Sequence, residues 1–324
     1  MTGPSWTRYF RQARDLTGSD AGWGKLLFGQ LGKDQALTAR DTDDGIYTFG
    51  EAIDSLDAAT KTPDPPFSMS ANPSPKLPYG IEAAQPGHPF HTRWETWART
   101  FWRAVAAEQA AGHLTPGFLY AYGMEMTGWY ERVGTTAAYS IHPKSGRNPD
   151  VYGYAFAAEQ RIAAEEGASV RFVYAPNTPI SARRPIIKAA AASIRQHGGT
   201  VDVASMSFYT YGSDSHYPLT SSSRSGLPLD QALDYMHGVF PHSALGINET
   251  GTKRGQYDRV RKAVETFQVA ADYDAVNVNL FCALKGEGDY RVFSDGTPTM
   301  DTPKDRGERE AIVAAAHDYI RAGR

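Results

Sequence analysis

Two glutamates carry the strongest chemical signal in the chain. Glu125 closes the aromatic run GFLYAYGME, and Glu249 closes the run ALGINE. A carboxylate ending such a run is a poor choice for packing, because burying it unpaired costs several kcal/mol. Two carboxylates at the C-terminal ends of different strands can instead hydrolyse a glycosidic bond. One protonates the leaving oxygen while the other attacks the anomeric carbon, the pair standing about 5–5.5 Å apart when configuration is retained. In that division Glu249 is the ionised nucleophile. Glu125 is the acid/base, starting protonated because Met124, Met126 and Trp129 give it a partly apolar surround and Glu249 adds negative charge. Tyr209, or Tyr211 just beyond it, is placed to donate a hydrogen bond to Glu249. Trp129, Tyr130 and Tyr174 offer faces for sugar rings, and Asn177 offers an amide for a hydroxyl. His142 and His216 lie in loops that can line a cleft.

Plainer readings stand beside these. An aromatic at a strand end is often core, a lone loop histidine is often only solvated, and a strand-end carboxylate can be a cap. Asp202 opens its strand at the opposite face and reads as structural. Trp94, Trp97 and Trp102 share a helix and read as packing.

The elements that position these residues alternate between short β-rich runs and amphipathic helices, the pattern of a parallel sheet with helical crossovers. Strands are expected at Lys25–Gln30, near Gly45–Phe49, at Phe67–Ala71, Gly117–Glu125, Val170–Ala175, Val201–Tyr209, Ala244–Glu249 and Ala275–Leu284. Helices are expected at Thr92–Gly112, with Thr92 and Glu95 as a capping box, and at Val151–Glu166. Further helices are expected at Ile186–Gln196, stopped by Gly198-Gly199, at about Asp230–Val239, around Val260, Val264 and Phe267, and at Glu308–Ala322. Eight βα units make a (β/α)8 barrel. The proline-rich stretch Pro63–Pro89 and the Ser/Gly-rich stretch Gly212–Pro228 both follow strands, so they fall on the C-terminal face where barrels build active sites. No repeat or linker divides the 324 residues, which read as one domain.

Composition narrows the function. Net charge is -3 with both signs mixed throughout, unlike a nucleic-acid binder with its basic face. Cys282 is the single cysteine, so neither an internal disulfide nor a cysteine metal cluster can form. Gly-x4-Gly-Lys-Ser/Thr, His-Glu-x-x-His and Gly-x-Ser-x-Gly are all absent. No cofactor or metal is expected. No long apolar run suits a membrane span, and no signal peptide is visible at Met1–Asp20. The chain reads as soluble, either cytoplasmic or outside the cell without a leader, and its oligomeric state is not legible. The sequon Asn248-Glu249-Thr250 falls inside a strand and reads as a chance match.

The segment Met124-Glu125-Met126-Thr127-Gly128-Trp129 resembles the acid/base motif of glycoside hydrolase family 26, His-Glu-Met-Asn-Gly-aromatic. Later landmarks are similar in order: VRFVYAPN with its aromatic-Pro-Asn, the strand ending at Tyr209, and Asn248-Glu249-Thr250-Gly251 at the nucleophile strand. The resemblance covers roughly Gly117 to Phe281. It implies a retaining β-glycan hydrolase on a (β/α)8 barrel, β-mannan being the leading substrate because mannanases predominate in the family. Met124 and Thr127 replace the family's His and Asn, which orient the acid and touch the sugar, so substrate preference can differ. Thr178 stands where a related pattern has its acid, which excludes that strand for the role. The alternatives are a barrel that binds polysaccharide without cutting it, a cell-wall glycan depolymerase of other specificity, and an unrelated barrel hydrolase or lyase using one carboxylate.

Overall fold

The structure is a computed structural model that describes residues 25–28, 68–71, 81–112, 114, 116–123, 125–126, 149–209, 227–252, 254, 258–280, 284–285, 288–289 and 302–321. Strands β1 (Lys25–Phe28), β2 (Ser68–Ala71), β3 (Phe118–Tyr122), β4 (Val170–Tyr174), β5 (Val203–Ala204) and β7 (Ala244–Leu245) lie side by side in that order, all parallel. A second parallel set runs β6 (Ser207–Tyr209), β8 (Ile247–Gly251), β9 (Val278–Leu280). Backbone hydrogen bonds join the two sets. Ser205 and Ser207 N–H donate to the Tyr174 and Pro176 carbonyls, both at 2.8 Å, and Asn248 N–H donates to Met206 O at 2.9 Å. Thus β5 with β6 is one barrel stave and β7 with β8 is another. The seven described staves follow one another in chain order, and they form the wall of a (β/α)8 barrel.

Helices α1 (His91–Ala110), α2 (Pro149–Glu165), α3 (Arg184–Gln196), α4 (Leu229–Val239), α5 (Arg259–Asp272) and α6 (Pro303–Arg321) occupy the connections. Alternation along the strands sorts the residues by face. Phe118, Tyr120, Tyr122, Phe172 and Tyr174 pack outward with Trp102 and Phe156 of the helices. Leu119, Ala121, Val173, Ala175 and Val203 turn inward as a separate apolar cluster, with Ala244 and Val276 against it. That inner cluster is the floor beneath the site. At the opposite end of its stave Asp202 accepts a hydrogen bond from Phe172 N–H at 2.7 Å, which is the structural role expected of it.

Four expectations need correcting. The strand near Gly45–Phe49 lies outside the described residues, and β1 pairs directly with β2 from Lys25↔Ser68 to Phe28↔Ala71, so no strand sits between them. The capping box at Thr92 does not form. The helix starts at His91 without a side-chain cap, and Glu95 pairs with Arg99 at 3.1 Å instead. The last helix starts at Pro303 rather than Glu308, because Thr302 and Asp305 cap it reciprocally (Asp305 N–H to Thr302 Oγ1 at 3.2 Å, Thr302 N–H to Asp305 Oδ2 at 3.3 Å) with proline in the first turn. The final strand starts at Val278 rather than Ala275. After Leu280, residues Leu284–Lys285 (β10) and Gly288–Asp289 (β11) pair antiparallel as a small hairpin.

Candidate active site

Register places Asn177 and Glu249 on one rung of the barrel, with Ser207 between them. Asn177 bridges Ser207, and Ser207 pairs with Glu249. Glu125 joins them from β3. Its N–H donates to Ala175 O at 2.7 Å, two residues before Asn177 on the neighbouring stave. Glu125 and Glu249 are therefore carried by staves three steps apart, both at the C-terminal ends, as expected from sequence.

The aim of Glu249 depends on one extra residue. From Val203↔Ala244 to Ser207↔Glu249 the β5–β6 stave advances four residues while its partner advances five. On the other side, Ile247↔Val278 and Thr250↔Leu280 show the same excess. Met206 O accepts from both Asn248 N–H at 2.9 Å and Glu249 N–H at 3.4 Å. This is a β-bulge, a feature that re-aims side chains near functional sites. Strict alternation from the inward Ala244 would turn Glu249 toward the helices. The bulge moves it onto the inner face beside Ser207, where it is 4% exposed. There Tyr209 hydroxyl donates to Glu249 Oε1, the contact expected of Tyr209.

Glu125 sits at φ +59°, in the left-handed region that disfavours a side chain and costs on the order of 1–3 kcal/mol. Gly123, two residues earlier, is also left-handed at φ +62°, so the chain breaks sharply out of β3 at Glu125, a half-buried residue. Strain of this kind collects where function demands a particular placement.

Tyr174 is not a sugar platform. Its ring is fully buried on the outward face against Tyr152 and Phe240, and its hydroxyl donates to Met126 Sδ at 3.5 Å. It braces the residue after Glu125 from behind. Asn177 is half-buried on the rung. Trp129, Tyr130, His142, Tyr211 and His216 lie outside the described residues. Among the described residues no group of acidic, histidine or cysteine side chains could hold a metal ion, and no helix is long and apolar enough to cross a membrane.

Sequence reading missed Ser205, Ser207, Gly246, Asn277 and Asn279. The signal was present in strict alternation: VASMSFY carries Ser at every second position, and VNVNL carries Asn likewise. Asn279 Nδ2 donates to Asn248 O at 3.0 Å, bracing the bulge.

Neither a family model nor a curated protein sequence matches the chain. Solved structures do. The family 26 domain of an endo-β-mannanase/endo-β-glucanase from Prevotella bryantii matches with TM-score 0.56 at 10% identity, covering 95% of this chain and 85% of that one. An endo-1,4-β-mannanase from Eisenia fetida matches at 0.54 and 12%, covering 97% and 84%. A xylanase A variant from P. fluorescens subsp. cellulosa, solved with xylopentaose, matches at 0.53 and 13%, covering 83% and 84%. With its two glutamates three staves apart at the C-terminal rim, this chain has the (β/α)8 barrel fold of the family 26 glycoside hydrolases.

Proposed function

We propose that the chain is a retaining glycoside hydrolase that cuts a β-linked polysaccharide by double displacement. The observation that carries this reading is the rung on which the bulge sets Glu249 beside Ser207 while Glu125 is tied to the adjoining level. Three steps of ~4.8 Å round an eight-stranded wall tilted ~36° put the two backbones about 14 Å apart. Glutamate side chains reach about 4–5 Å each at ordinary bond lengths, so two that point toward each other can bring their carboxyls to about 5 Å, the separation a retaining pair needs.

In the first step Glu249 forms a bond to the anomeric carbon. The bond from that carbon to the leaving oxygen breaks, and this oxygen takes the proton of Glu125. In the second step Glu125 removes a proton from water, whose oxygen displaces Glu249 from the same carbon. Tyr209 holds the attacking oxygen in line and stabilises its charge before attack. Asn177, one strand from Ser207, is positioned for a sugar hydroxyl, with Trp129, Tyr130, Tyr211, His142 and His216 proposed to complete the cleft. β-Mannan is the leading substrate, since mannanases stand among the proteins of like fold. The xylanase likeness keeps other β-glycans in the test. No cofactor enters this chemistry.

The test is a panel of β-mannan, xylan, galactan, mixed-linkage glucan and cell-wall glycan, read by new reducing ends. The anomeric configuration of the first product is followed by NMR. Cleavage with retention supports the reading. Binding without cleavage across the panel overturns it in favour of a non-hydrolytic polysaccharide binder.

A further inference from the structure

The proposed acid/base sits on a backbone that has to be held. Glu125 keeps a φ of +59°, two residues after Gly123 at +62°, and such a conformation at a non-glycine residue persists only where its surroundings fix it. The pairing of β3 with β4 ends at Ala121↔Val173, so that ladder stops short of the turn. Three contacts take over from it. Tyr152 hydroxyl donates to Tyr122 O at 2.7 Å, just before the turn. Glu125 N–H donates to Ala175 O at 2.7 Å. Tyr174 hydroxyl donates to Met126 Sδ at 3.5 Å, just after it.

Of the two side-chain contacts the one from Tyr152 is the stronger, because its oxygen acceptor lies at the ordinary distance whereas a thioether accepts weakly. Tyr152 is in the first turn of α2 and fully buried. Its ring lies 6.0 Å from that of Tyr122, 6.1 Å from Phe156 and, edge-on, 5.8 Å from Tyr174. The same helical turn is tied to α3, where Asp150 Oδ1 meets Ser193 Oγ and His197 Nε2, both at 2.9 Å. The hydroxyl therefore reaches β3 from a fixed point in the helix layer. Its acceptor belongs to the peptide that joins Tyr122 to Gly123. Turning that peptide turns the start of the segment carrying Glu125, and with it the direction in which the acid leaves the strand.

We propose that Tyr152 is a positioning residue for Glu125. By holding the Tyr122–Gly123 peptide from the helix layer, it keeps the strained turn in the conformation that brings the acid to the leaving oxygen. Its role rests on Glu125 being the acid/base. Tyr174 assists from the far side of the same turn. Tyr120 is the contrast. It lies two residues before Tyr122, and its equally buried hydroxyl goes to Glu159 of α2 at 2.6 Å, away from the turn. Loss of that hydroxyl weakens the same packed layer without touching the peptide that aims Glu125.

A misplaced acid costs most where the leaving group needs a proton. The test is the ratio of kcat/KM on the polysaccharide to kcat/KM on a 2,4-dinitrophenyl glycoside of the same sugar, whose phenolate departs unprotonated. Tyr152→Phe should lower this ratio about 5- to 20-fold through the loss of one buried hydrogen bond. Tyr120→Phe should leave it within about twofold, even at an equal loss of melting temperature. An unchanged ratio in folded Tyr152→Phe, or an equal fall in Tyr120→Phe, overturns the positioning role. Glu125→Gln measured alongside separates the failures. A lowered ratio there with an unchanged one in Tyr152→Phe overturns the positioning role alone, whereas an unchanged ratio in Glu125→Gln overturns the acid reading and the positioning role together. A crystal structure of the wild-type protein reads the contact without any variant. Tyr152 hydroxyl bonded to Tyr122 O, with Glu125 at positive φ, supports the role. A Tyr122 carbonyl out of reach of Tyr152 overturns it, even where Tyr152→Phe does not fold.

Discussion

Raising the pH from 5 to 8 is expected to weaken this fold through Glu159, a group remote from the proposed chemistry. Glu159 lies on α2, fully buried between that helix and β3. Tyr120 hydroxyl donates to its Oε1 at 2.6 Å, while Oε2 makes no hydrogen bond. Desolvation pushes its carboxyl up to about 7, against the opposing help of Tyr120 and the nearby Trp102 indole. The folded state therefore binds a proton that the unfolded chain, near 4.5, has already released. This contribution is fully present below 4.5, falls as pH rises toward 7, and is gone above it. The gap between those values, at about 1.4 kcal/mol per pH unit, corresponds to about 3 kcal/mol. In a chain of this size that is on the order of 5 °C in melting temperature. Glu159→Gln keeps an acceptor for Tyr120 and cannot ionise, while every other titrating group is shared with the wild type. Thermal melts of both proteins at half-unit steps should show the wild type losing about 5 °C relative to the variant between pH 5 and 8. A difference constant to within about 1 °C would refute the argument that burial holds this proton.

Other outcomes follow from the site. Glu249→Ala should lower kcat by at least about 10³-fold with the fold intact by circular dichroism. Glu125→Gln should lose about 10²–10⁴-fold on polysaccharide and far less on an aryl glycoside whose phenolate leaves unprotonated. Equal losses on both substrates would remove Glu125 from the acid role. Tyr209→Phe forfeits a hydrogen bond to a charged group, worth about 1.5–3 kcal/mol, so kcat should fall about 10- to 150-fold, measured on the best glycan. Arg254, five residues beyond Glu249, grips Asp305 with Nε to Oδ1 and Nη2 to Oδ2 both at 2.9 Å. Arg254 holds the Asp305 carboxyl down at about 2, so this clamp persists until pH falls toward 2. Arg254→Ala should lower the melting temperature by a few degrees at pH 7, with the wild-type advantage vanishing below about pH 2.

How far the sequence could be read depended on which residues announce themselves locally. The parallel βα order was legible because each strand and helix carries its own periodicity. The two glutamates were legible because a carboxylate ending an apolar run is chemically conspicuous. Tyr174 misled because its place next to Pro176-Asn177 looked like a rim position. Its side is set by alternation from Phe172, which packs on the helices, so the ring had to go with Phe172. The early start of α6 was readable in Thr302-Pro303-x-Asp305, an ordinary capping signal overlooked in favour of the apolar stripe. By contrast, Thr92 and Glu95 have the capping spacing, yet Arg99 takes the carboxylate, a competition that spacing alone does not reveal.

The bulge explains the limit most clearly. Counting by twos from Ala244 assigns Glu249 to the helix-facing side, the wrong side for catalysis, and nothing in ALGINET marks an inserted residue except Gly246. The insertion becomes visible only when the strand is laid against both neighbours, where an advance of four residues faces one of five on one side and an advance of two faces one of three on the other. A glycine inside a strand is the local hint, since it marks a bulge or a close approach. Here it marks both, with Asn277 lying where a side chain would go. The identity of the proposed nucleophile was therefore written in residue type, while its direction was written in pairing, and pairing is a property of three strands at once.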